Sequence, residues 1–360
     1  MKVLTIVGTR PELIRLCVII EKLDRIVNHV FVYTNQNYDP NLSTIFFEEL
    51  KIRKPDYYFN SESSSADVFL SKAFSEFSSV LDKEKPDKVL VLGDTNSGLV
   101  SMLATKRGIP VYHMEAGNRC FDEHVPEETN RRIIDSFSKY NLPYTDNSKQ
   151  NLLNEGYHKN YVFKTGNPIY EVLNKFDREI ESSRILEKLG IGQGEFVLVT
   201  AHRAENVDNP NTLRSIMNAL NYISEFYEVI FSVHPRTRHK IKEYGITINE
   251  DIIMCDPFGF FDFVKMEKAA YVVISDSGTV QEECCIVGTP SLIIRNSTER
   301  QETVECGASI LVGTNYDSIN GAFVGLSNRN YKWNIPSDYV VTYVSDVVVN
   351  ILLNHTRRIL

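Results

Sequence analysis

The 360-residue sequence has a formal net charge of −8, with 42% hydrophobic and 24% charged residues, the composition of a soluble globular protein. The acidic balance offers no general basic surface for nucleic acid, and no stretch approaches the roughly 18 to 20 apolar residues of a membrane span. The chain is long for a single hydrophobic core, so we expect two domains.

The chain begins with a predicted strand, loop and helix: an apolar run reaches Gly8, and helical periodicity follows over residues 11–23. Because the apolar run is so short, we expect no signal peptide and a cytoplasmic protein. Arg10 lies where a parallel strand gives way to a helix. Backbone N–H groups and a guanidinium at such a place favour an anion site, the alternative being a solvated loop arginine.

Carboxylates follow two further strands. Residues 29–35 form a predicted strand, residues 87–95 form a buried strand that ends at Asp94, and residues 110–117 repeat the pattern with Glu115. In an open parallel sheet, the loops beyond the carboxyl ends of the strands converge on one crevice. Asp94 and Glu115 are therefore expected to face the same cleft.

The string VPEETNRR predicts a helix that starts near Pro126, with Glu127 and Glu128 in its first turn. Acidic groups suit that position electrostatically, so capping alone explains at least one of them. Adjacent helical residues point about 100° apart, so one carboxylate can cap while the other enters the cleft.

The strand, loop and helix rhythm starts again after a polar stretch at residues 177–184, which we interpret as the link between domains. Alternating strands and helices in two blocks predict an α/β fold with two doubly wound, Rossmann-like domains that face a shared cleft. The expected domains are residues 1–176 and 177–336. For residues 337–360 we favour a final helix that packs back on the first domain, although its pattern does not separate helix from strand. The predicted strands of the second block are 196–203, 229–237, 252–263, 271–279 and 290–300.

The string SDSGTVQEE runs from a strand end into a helix whose first turn contains Ser277, Gly278 and Thr279. Free N–H groups and hydroxyls there can hold a diphosphate, and the carboxylate of Glu283 can accept both hydroxyls of a ribose. A plain helix cap is the alternative for Ser277.

Two histidines, His202 and His234, stand at further strand ends beside Arg203 and Arg236, where they can bind a diphosphate and protonate it as it leaves. The sequence has neither GxxxxGK[ST] nor a GxGxxG after the first strand, which argues against an NTPase and a dinucleotide oxidoreductase. The six cysteines are scattered without zinc spacing, so we expect buried free thiols and no metal bound by protein ligands.

The motifs together resemble a known family. VGTRPE, GDTNS, HMEAGNR, VPEETNRR, TAHRAEN, VHPRT, SDSGTVQEE and TERQE occur in the order and spacing seen in non-hydrolysing UDP-N-acetylglucosamine 2-epimerases, over residues 1 to about 315. The resemblance implies a GT-B architecture, a homodimer, and a nucleotide held mainly by the second domain. It also implies inversion of carbon 2 of a UDP-2-acetamido sugar by anti elimination and re-addition of UDP, with no metal or nicotinamide cofactor.

By the same resemblance, the catalytic carboxylates are Asp94, Glu115 and Glu127, and His202 is the catalytic histidine. Removal and return of a proton at opposite faces need at least two carboxyl groups, and mutual repulsion would raise the pKa of one of them. Arg131 is grouped with the substrate-binding residues, although it could instead hold the carboxylates in place. The remaining residues expected to bind the phosphates, base or ribose are Arg10, His234, Ser277, Gly278, Thr279, Glu283 and Arg300.

Two positions depart from the family pattern. Asn37 stands where a histidine is common, which puts the activating second substrate site of many bacterial members in doubt, and Gln301 replaces a proline. The strings QNYD, GNRCFD and VPEETNRR most resemble a branch that makes UDP-N-acetyl-L-fucosamine from UDP-2-acetamido-2,6-dideoxy-L-talose for capsule and O-antigen precursors. Interconversion of UDP-GlcNAc and UDP-ManNAc is the alternative substrate choice, and a GT-B glycosyltransferase is the alternative reaction.

Overall fold

Two parallel six-stranded sheets form the framework of the protein in a computed structural model that describes residues 1–36, 40–60, 65–327 and 332–354. The strands of the first sheet are β1 Lys2–Val7, β2 Asn28–Tyr33, β3 Tyr57–Tyr58, β4 Lys88–Leu92, β5 Val111–Met114 and β6 Tyr140–Leu142. Those of the second are β7 Phe196–Thr200, β8 Glu228–Ser232, β9 Ile252–Cys255, β10 Val272–Ser275, β11 Ser291–Ile293 and β12 Ser309–Leu311.

The two sheets share one topology. The first runs β3-β2-β1-β4-β5-β6 and the second runs β12-β11-β10-β7-β8-β9. Leu4 of β1 pairs with Val89 of β4, and Val199 of β7 pairs with Ile274 of β10. The strand order therefore reverses between β1 and β4 and between β7 and β10, the positions at which doubly wound sheets bind ligands. The predicted α/β fold with two doubly wound sheets is confirmed.

Helices follow most strands and cover the sheets. They are α1 Arg10–Ile26, α2 Pro40–Glu49, α3 Ala66–Glu84, α4 Asn96–Leu99, α5 Met102–Lys106, α6 Pro126–Phe137, α7 Asp146–Asn154, α8 Ile169–Lys175, α9 Asp177–Glu181, α10 Ile185–Leu189, α11 Ala204–Val207, α12 Pro210–Ile223, α13 Pro235–Glu243, α14 Phe260–Ala269, α15 Gly278–Val287, α16 Gln301–Glu305, α17 Tyr316–Ser327 and α18 Val344–Leu353. Short 3₁₀ helices lie at Lys159–Tyr161 and Ser337–Tyr339. No helix in the described ranges has both the length and the apolar character needed to cross a membrane.

The predicted strands at residues 229–237, 252–263 and 271–279 extend too far, because their last residues begin helices α13, α14 and α15. The helical stretch after β4 is interrupted between α4 and α5, where the hydroxyl of Ser101 donates to the carbonyl of Gly98 at 2.6 Å and competes with helical bonding. The polar stretch that begins at Asp177 forms helix α9, where Glu181 pairs with Lys265 at 2.6 Å and with Lys268. This stretch is therefore helical and docked by ion pairs.

The chain divides into two compact units. Unit 1 comprises Met1–Asn174 with Ser337–Leu360, and unit 2 comprises Lys175–Pro336. Within unit 1, α18 packs on α1, and Nζ of Lys88 donates to the carbonyls of Leu352 and Asn354 at 2.5 and 2.6 Å. A cation suits the C-terminal end of a helix, so Lys88 fixes the end of α18. Residues 355–360 lie outside the described part of the chain.

Each sheet is buried by apolar side chains on its faces. In unit 1, Leu4, Val91 and Ile134 belong to one core cluster. In unit 2, Val199 and Leu220 belong to the cluster beneath α12, and Leu198 and Met266 to the cluster beneath α14. This packing holds the strand ends rigidly in place. All six cysteines are free, and Cys255 and Cys306 are partly exposed rather than buried.

Candidate active site

The carboxyl edge of the unit 1 sheet carries the predicted acidic residues. Arg10 opens α1 after β1, Asp94 follows β4, and Glu115 follows β5 directly. The amide of Gly93 donates to the carbonyl of Met114 at 3.1 Å, and a Cβ on Gly93 would lie 3.5 Å from Oε2 of Glu115. The structure thus brings Asp94 and Glu115 to adjoining positions at one sheet edge.

Glu115 is held in an unusual conformation by buried partners. Its φ of +66° lies in the left-handed region, which is costly for a residue with a side chain and is concentrated at functional sites. Oε2 accepts from Nη1 of Arg15 at 2.9 Å, and Oε1 accepts from Nδ2 of Asn118 at 3.2 Å. The sequence analysis missed Arg15, which lies on α1 a hundred residues before its partner.

Asp94 forms an ion pair with Arg131. Nε and Nη2 of Arg131 donate to Oδ2 of Asp94 at 3.1 and 2.7 Å, and Nη1 donates to Glu128 at 2.8 Å. Arg131 and Glu128 are buried, whereas the Asp94 side chain is 27% exposed, so the pair with Glu128 is the one shielded from water. The guanidinium of Arg131 therefore lies against two carboxylates, the alternative role considered for it from the sequence.

Glu127 and Glu128 lie in different surroundings. Glu128 is buried and accepts from the amide of Cys120 at 2.9 Å and from Arg132 at 2.9 Å. Burial opposes ionisation, but the Cys120 amide and the Arg131 charge outweigh it and lower the pKa of Glu128. Glu127 is only half-buried. The adjacent pair thus divides into a carboxylate occupied by structural contacts and one nearer to solvent.

Glu12 is a further buried acid at this edge that the sequence analysis did not single out. It accepts from the amides of Gly8 and Thr9 at 2.5 and 3.3 Å and from the hydroxyl of Thr95 at 2.6 Å. Burial raises the pKa of Glu12 to about 7 against the lowering effect of these hydrogen bonds. Glu12 therefore connects the turn between β1 and α1, next to Arg10, with the loop that carries Asp94 through hydrogen bonds.

The carboxyl edge of the unit 2 sheet is organised around Asp276, which is fully buried. It accepts from the amides of His202 and Arg203, both at 2.9 Å, and Nδ1 of His202 lies 3.2 Å from Oδ1. Burial alone would raise the pKa of Asp276, but the charge and hydrogen bonds of His202 and the Arg203 amide lower it to about 2. Asp276 is thus an ionised anchor that orients the half-exposed His202 imidazole.

His234 caps the next helix on the same edge. Its Nδ1 accepts from the amide of Arg236 at 3.3 Å, and its ring centroid lies 6.2 Å from that of His202. Arg236 pairs with Asp208. The two predicted histidines therefore stand together, whereas the guanidinium of Arg236 is engaged by a carboxylate.

The N-terminus of α15 lies beside them at the point where strand order reverses. The hydroxyls of Ser277 and Thr279 are 2.9 Å apart, and Gly278 begins the helix. Arg300 is buried, with Nε 2.5 Å from Glu282. The N–H groups of the first turn of this helix, with hydroxyls and histidines near them, suit a diphosphate.

The two edges supply different chemistry. Unit 1 presents carboxylates paired with buried arginines, which can accept and donate protons, and unit 2 presents N–H groups, hydroxyls and imidazoles, which can bind an anion. Among the described residues, no three His, Cys, Asp or Glu side chains are grouped as metal ligands would be. Asn37 lies outside the described part of the chain.

The chain is similar to known proteins over most of its length. Residues 21–352 match the family model described as UDP-N-acetylglucosamine 2-epimerase. The chain is 40% identical over 347 residues to a UDP-N-acetylglucosamine 2-epimerase of Methanocaldococcus jannaschii, covering 93% of this chain and 95% of that protein. It is 37% identical over 326 residues to a UDP-2,3-diacetamido-2,3-dideoxy-D-glucuronate 2-epimerase of Pseudomonas aeruginosa, covering 89% and 90% of the two chains.

The fold likeness extends over nearly the whole chain. The crystal structure of the M. jannaschii UDP-GlcNAc 2-epimerase in complex with UDP-GlcNAc and UDP matches with a TM-score of 0.92 and 39% identity, covering 98% of this chain and 99% of that one. The GT-B architecture expected from the sequence is confirmed by this match.

Proposed function

Since the chain belongs to the non-hydrolysing UDP-N-acetylglucosamine 2-epimerase family, we propose that it converts UDP-2-acetamido-2,6-dideoxy-L-talose into UDP-N-acetyl-L-fucosamine. As a family member it is an isomerase that inverts carbon 2 of a UDP-2-acetamido sugar. The 6-deoxy L-configured sugar is the specific part of the proposal. Interconversion of UDP-GlcNAc and UDP-ManNAc is the second candidate, because relatives over most of the chain carry that name.

The segment between Glu115 and Glu127 supports the 6-deoxy sugar. It contains the GNRCFD string, and Phe121 within it is 63% exposed at a φ of +54°, with the guanidinium of Arg132 5.9 Å from its ring. Phe121 thus presents an exposed aromatic ring from a left-handed backbone position, in the segment between two proposed catalytic residues. Such a ring suits the C6 methyl of a 6-deoxy sugar better than a hydroxymethyl group.

The proposed mechanism is elimination followed by re-addition. The C2 proton passes to a carboxylate as the bond between C1 and the diphosphate oxygen breaks, and UDP leaves with that electron pair to give a 2-acetamidoglycal. A proton then returns to the opposite face of C2, and a diphosphate oxygen of UDP bonds to C1 again. The observation that carries this proposal is the adjoining placement of Asp94 and Glu115, each paired with a buried arginine.

The remaining roles follow from the two edges. We assign Asp94, Glu115 and Glu127 to proton transfer at C2, with Arg131 holding Asp94. His202, oriented by Asp276, would stabilise or protonate the departing diphosphate.

The nucleotide-binding roles belong mostly to unit 2. His234, Ser277, Gly278, Thr279 and Arg300 would bind the diphosphate or base, and Glu283 the ribose. Arg10, at the start of α1 in unit 1, is the further anion-binding residue. We also propose a cytoplasmic homodimer that supplies surface-polysaccharide precursors.

A substrate panel tests the proposal. The protein is incubated in deuterated water with UDP-2-acetamido-2,6-dideoxy-L-talose, UDP-GlcNAc and UDP-2,3-diacetamido-2,3-dideoxy-D-glucuronate, and each reaction is followed by proton NMR. We expect the highest kcat/KM with the 6-deoxy sugar and incorporation of deuterium at carbon 2. A higher kcat/KM with either of the other two UDP-sugars would contradict the substrate choice. Free sugar accumulating in step with UDP would contradict a non-hydrolysing reaction, and absence of deuterium at carbon 2 would favour a glycosyltransferase.

The Phe121→Ala variant refines the panel. If the ring contacts the C6 methyl, kcat/KM should fall about tenfold for the 6-deoxy sugar and much less for UDP-GlcNAc, the scale of a lost apolar contact in a pocket. An equal fall for both sugars would remove Phe121 from the specificity argument.

A further inference from the structure

Two thiols meet between helices α15 and α16 of unit 2. Sγ of Cys285, in the last turn of α15, lies 3.7 Å from Sγ of Cys306, the residue that caps the end of α16. The two cysteines are 21 positions apart in the chain. The sulfurs of a disulfide bond are about 2.0 Å apart, so closing one here needs an approach of about 1.7 Å.

Two further contacts join the same elements. Oγ1 of Thr298, shortly before α16, donates to Oε1 of Gln281 on α15 at 2.8 Å. Nε of Arg300, at the start of α16, lies 2.5 Å from Oε1 of Glu282 on α15. The two sulfurs therefore meet at the far end of a packed interface that already holds α16 against α15.

The two thiols differ in their access to water. Cys285 is buried, whereas Cys306 is partly exposed. Burial, with the Cys306 thiol beside it, raises the pKa of the Cys285 thiol, so Cys285 forms the reactive thiolate less readily. A dissolved oxidant therefore meets Cys306 first, and Cys285 lies directly behind it as the second thiol.

We propose that Cys306 and Cys285 form a reversible oxidation site, in which a peroxide oxidises Cys306 and Cys285 then closes a disulfide bond between α16 and α15. The disulfide is the protective product of the pair. Without a second thiol, a sulfenic acid is oxidised further to sulfinic acid, which thiol reductants do not reverse. A disulfide stops the oxidation of Cys306 at a stage that a thiol reductant can undo, and in a reducing compartment such a bond is transient.

The chemistry proceeds in two steps with hydrogen peroxide as the oxidant. The Cys306 thiolate attacks one peroxide oxygen, the O–O bond breaks, and the departing hydroxide takes up the proton that the Cys306 thiol released, which leaves a sulfenic acid and water. The Cys285 sulfur then attacks the Cys306 sulfur, and the sulfenic oxygen leaves as water with the proton of the Cys285 thiol. Two thiols and one hydrogen peroxide thus give one disulfide and two waters.

Trp333 reports on the pair, since it is the only tryptophan of the chain and its indole Nε1 donates to the carbonyl of Cys285 at 2.9 Å. In the experiment, the reduced full chain is treated with hydrogen peroxide, its thiols are counted after denaturation, and its peptides are identified by mass spectrometry. We expect the six free thiols to fall to four, because two enter the disulfide. A peptide that joins Cys285 to Cys306 should appear and Trp333 fluorescence should be quenched, and dithiothreitol should reverse both changes.

Three variants of the full chain complete the test. In Cys285→Ala, peroxide should carry Cys306 to sulfinic acid, which dithiothreitol does not reduce, and Trp333 fluorescence should stay constant. Cys306→Ser, at the partly exposed position, should leave Cys285 reduced, and this variant decides the matter should Cys285→Ala fail to fold. Cys255→Ser is the matched control, because Cys255 is the other partly exposed thiol of unit 2 and its loss should leave the linked peptide unchanged.

Three outcomes would overturn the proposal. The first is a wild type in which Cys306 becomes sulfinic acid while Cys285 stays a free thiol. The second is a pair that stays reduced at a peroxide concentration that oxidises Cys255. The third is oxidation of Cys285 in Cys306→Ser at the wild-type rate. These measurements need no UDP-sugar, so they are independent of the proposed epimerase function.

Discussion

Nη1 of Arg15 lies 2.9 Å from Oε2 of Glu115, and both side chains are buried. Removing one partner of a buried ion pair leaves the other charge without compensation, which costs about 3 kcal/mol or more. We therefore expect Arg15→Met to lower the free energy of unfolding by about this amount and to reduce kcat, because Glu115 loses the contact that orients it. Urea unfolding and initial rates measure the two effects.

Arg25→Met is the matched control for Arg15→Met. Arg25 lies on the same helix and pairs with Glu21, but its side chain is largely exposed, so we expect a change below about 1 kcal/mol and unchanged kcat. Arg15→Lys should retain part of the activity, since a cation remains beside Glu115. Wild-type stability and turnover in Arg15→Met would show that the buried pair neither supports the fold nor positions Glu115.

Asp94→Asn tests proton transfer separately from nucleotide binding. The amide is nearly isosteric but cannot accept a proton at neutral pH, so kcat should fall by about a thousandfold. The dissociation constant for UDP should change little, because most of the residues proposed to bind UDP belong to unit 2. Stopped assays and calorimetry on the same preparation measure kcat and the dissociation constant for UDP.

Asp82→Asn, at an exposed ion pair with Arg107, serves as the control and should leave both quantities unchanged. Loss of UDP binding in Asp94→Asn would count against this role.

Strand ends were predictable from the sequence because a buried strand leaves a continuous apolar run that stops at glycine or at a polar residue. Asp94, Glu115, His202 and Ser277 were placed at the correct edges for that reason. Doubly wound sheets then bring such ends together whatever their separation along the chain. Each sheet thus brings residues from separate segments of the chain to one of its own edges.

The partners of these residues were not predictable in the same way. Arg15 looks like one charge on an amphipathic helix, and nothing local shows that it faces Glu115. Asp276 did carry a signal, since it directly follows a buried strand beside Ser277, but its contacts with His202 require a neighbouring strand. Burial is a property of packing, so these roles appear only in three dimensions.

Asp276 gives a prediction about acid stability. Its folded-state pKa of about 2 lies below the usual 3.8, so it contributes stability that is complete well above pH 4 and is lost as pH falls through 2. The shift contributes about 2 kcal/mol to the free energy of unfolding at neutral pH, and about half of that contribution is lost by pH 3. The gap in unfolding free energy between wild type and Asp276→Asn should therefore narrow by about 1 kcal/mol from pH 7 to pH 3.

Urea unfolding at pH 7, 5, 4 and 3 measures this gap. Asp251→Asn, at an exposed aspartate, should instead run parallel to the wild type across the range. A constant gap for Asp276→Asn would mean that Asp276 is not the low-pKa anchor of His202.

Gly278→Ala tests whether the N-terminus of α15 receives the diphosphate. A Cβ at this position would lie 2.7 Å from Oε1 of Glu299. Glu299 cannot yield easily, because Nη2 of Arg295 holds its other oxygen at 2.8 Å in a buried pair. The methyl group should therefore displace the first turn of α15, at a cost of about 1–3 kcal/mol for overpacking, and weaken UDP binding by about tenfold or more.

Gly321→Ala is the control for this substitution, since Gly321 lies within helix α17 and an added Cβ meets nothing within 4 Å. In that variant UDP should bind as in the wild type, and the thermal midpoint should rise slightly, because alanine favours a helix over glycine by up to about 1 kcal/mol. Calorimetric titration with UDP and thermal unfolding of both variants decide the matter. Wild-type affinity in Gly278→Ala would place the diphosphate elsewhere, since a displaced helix start could not then be its binding site.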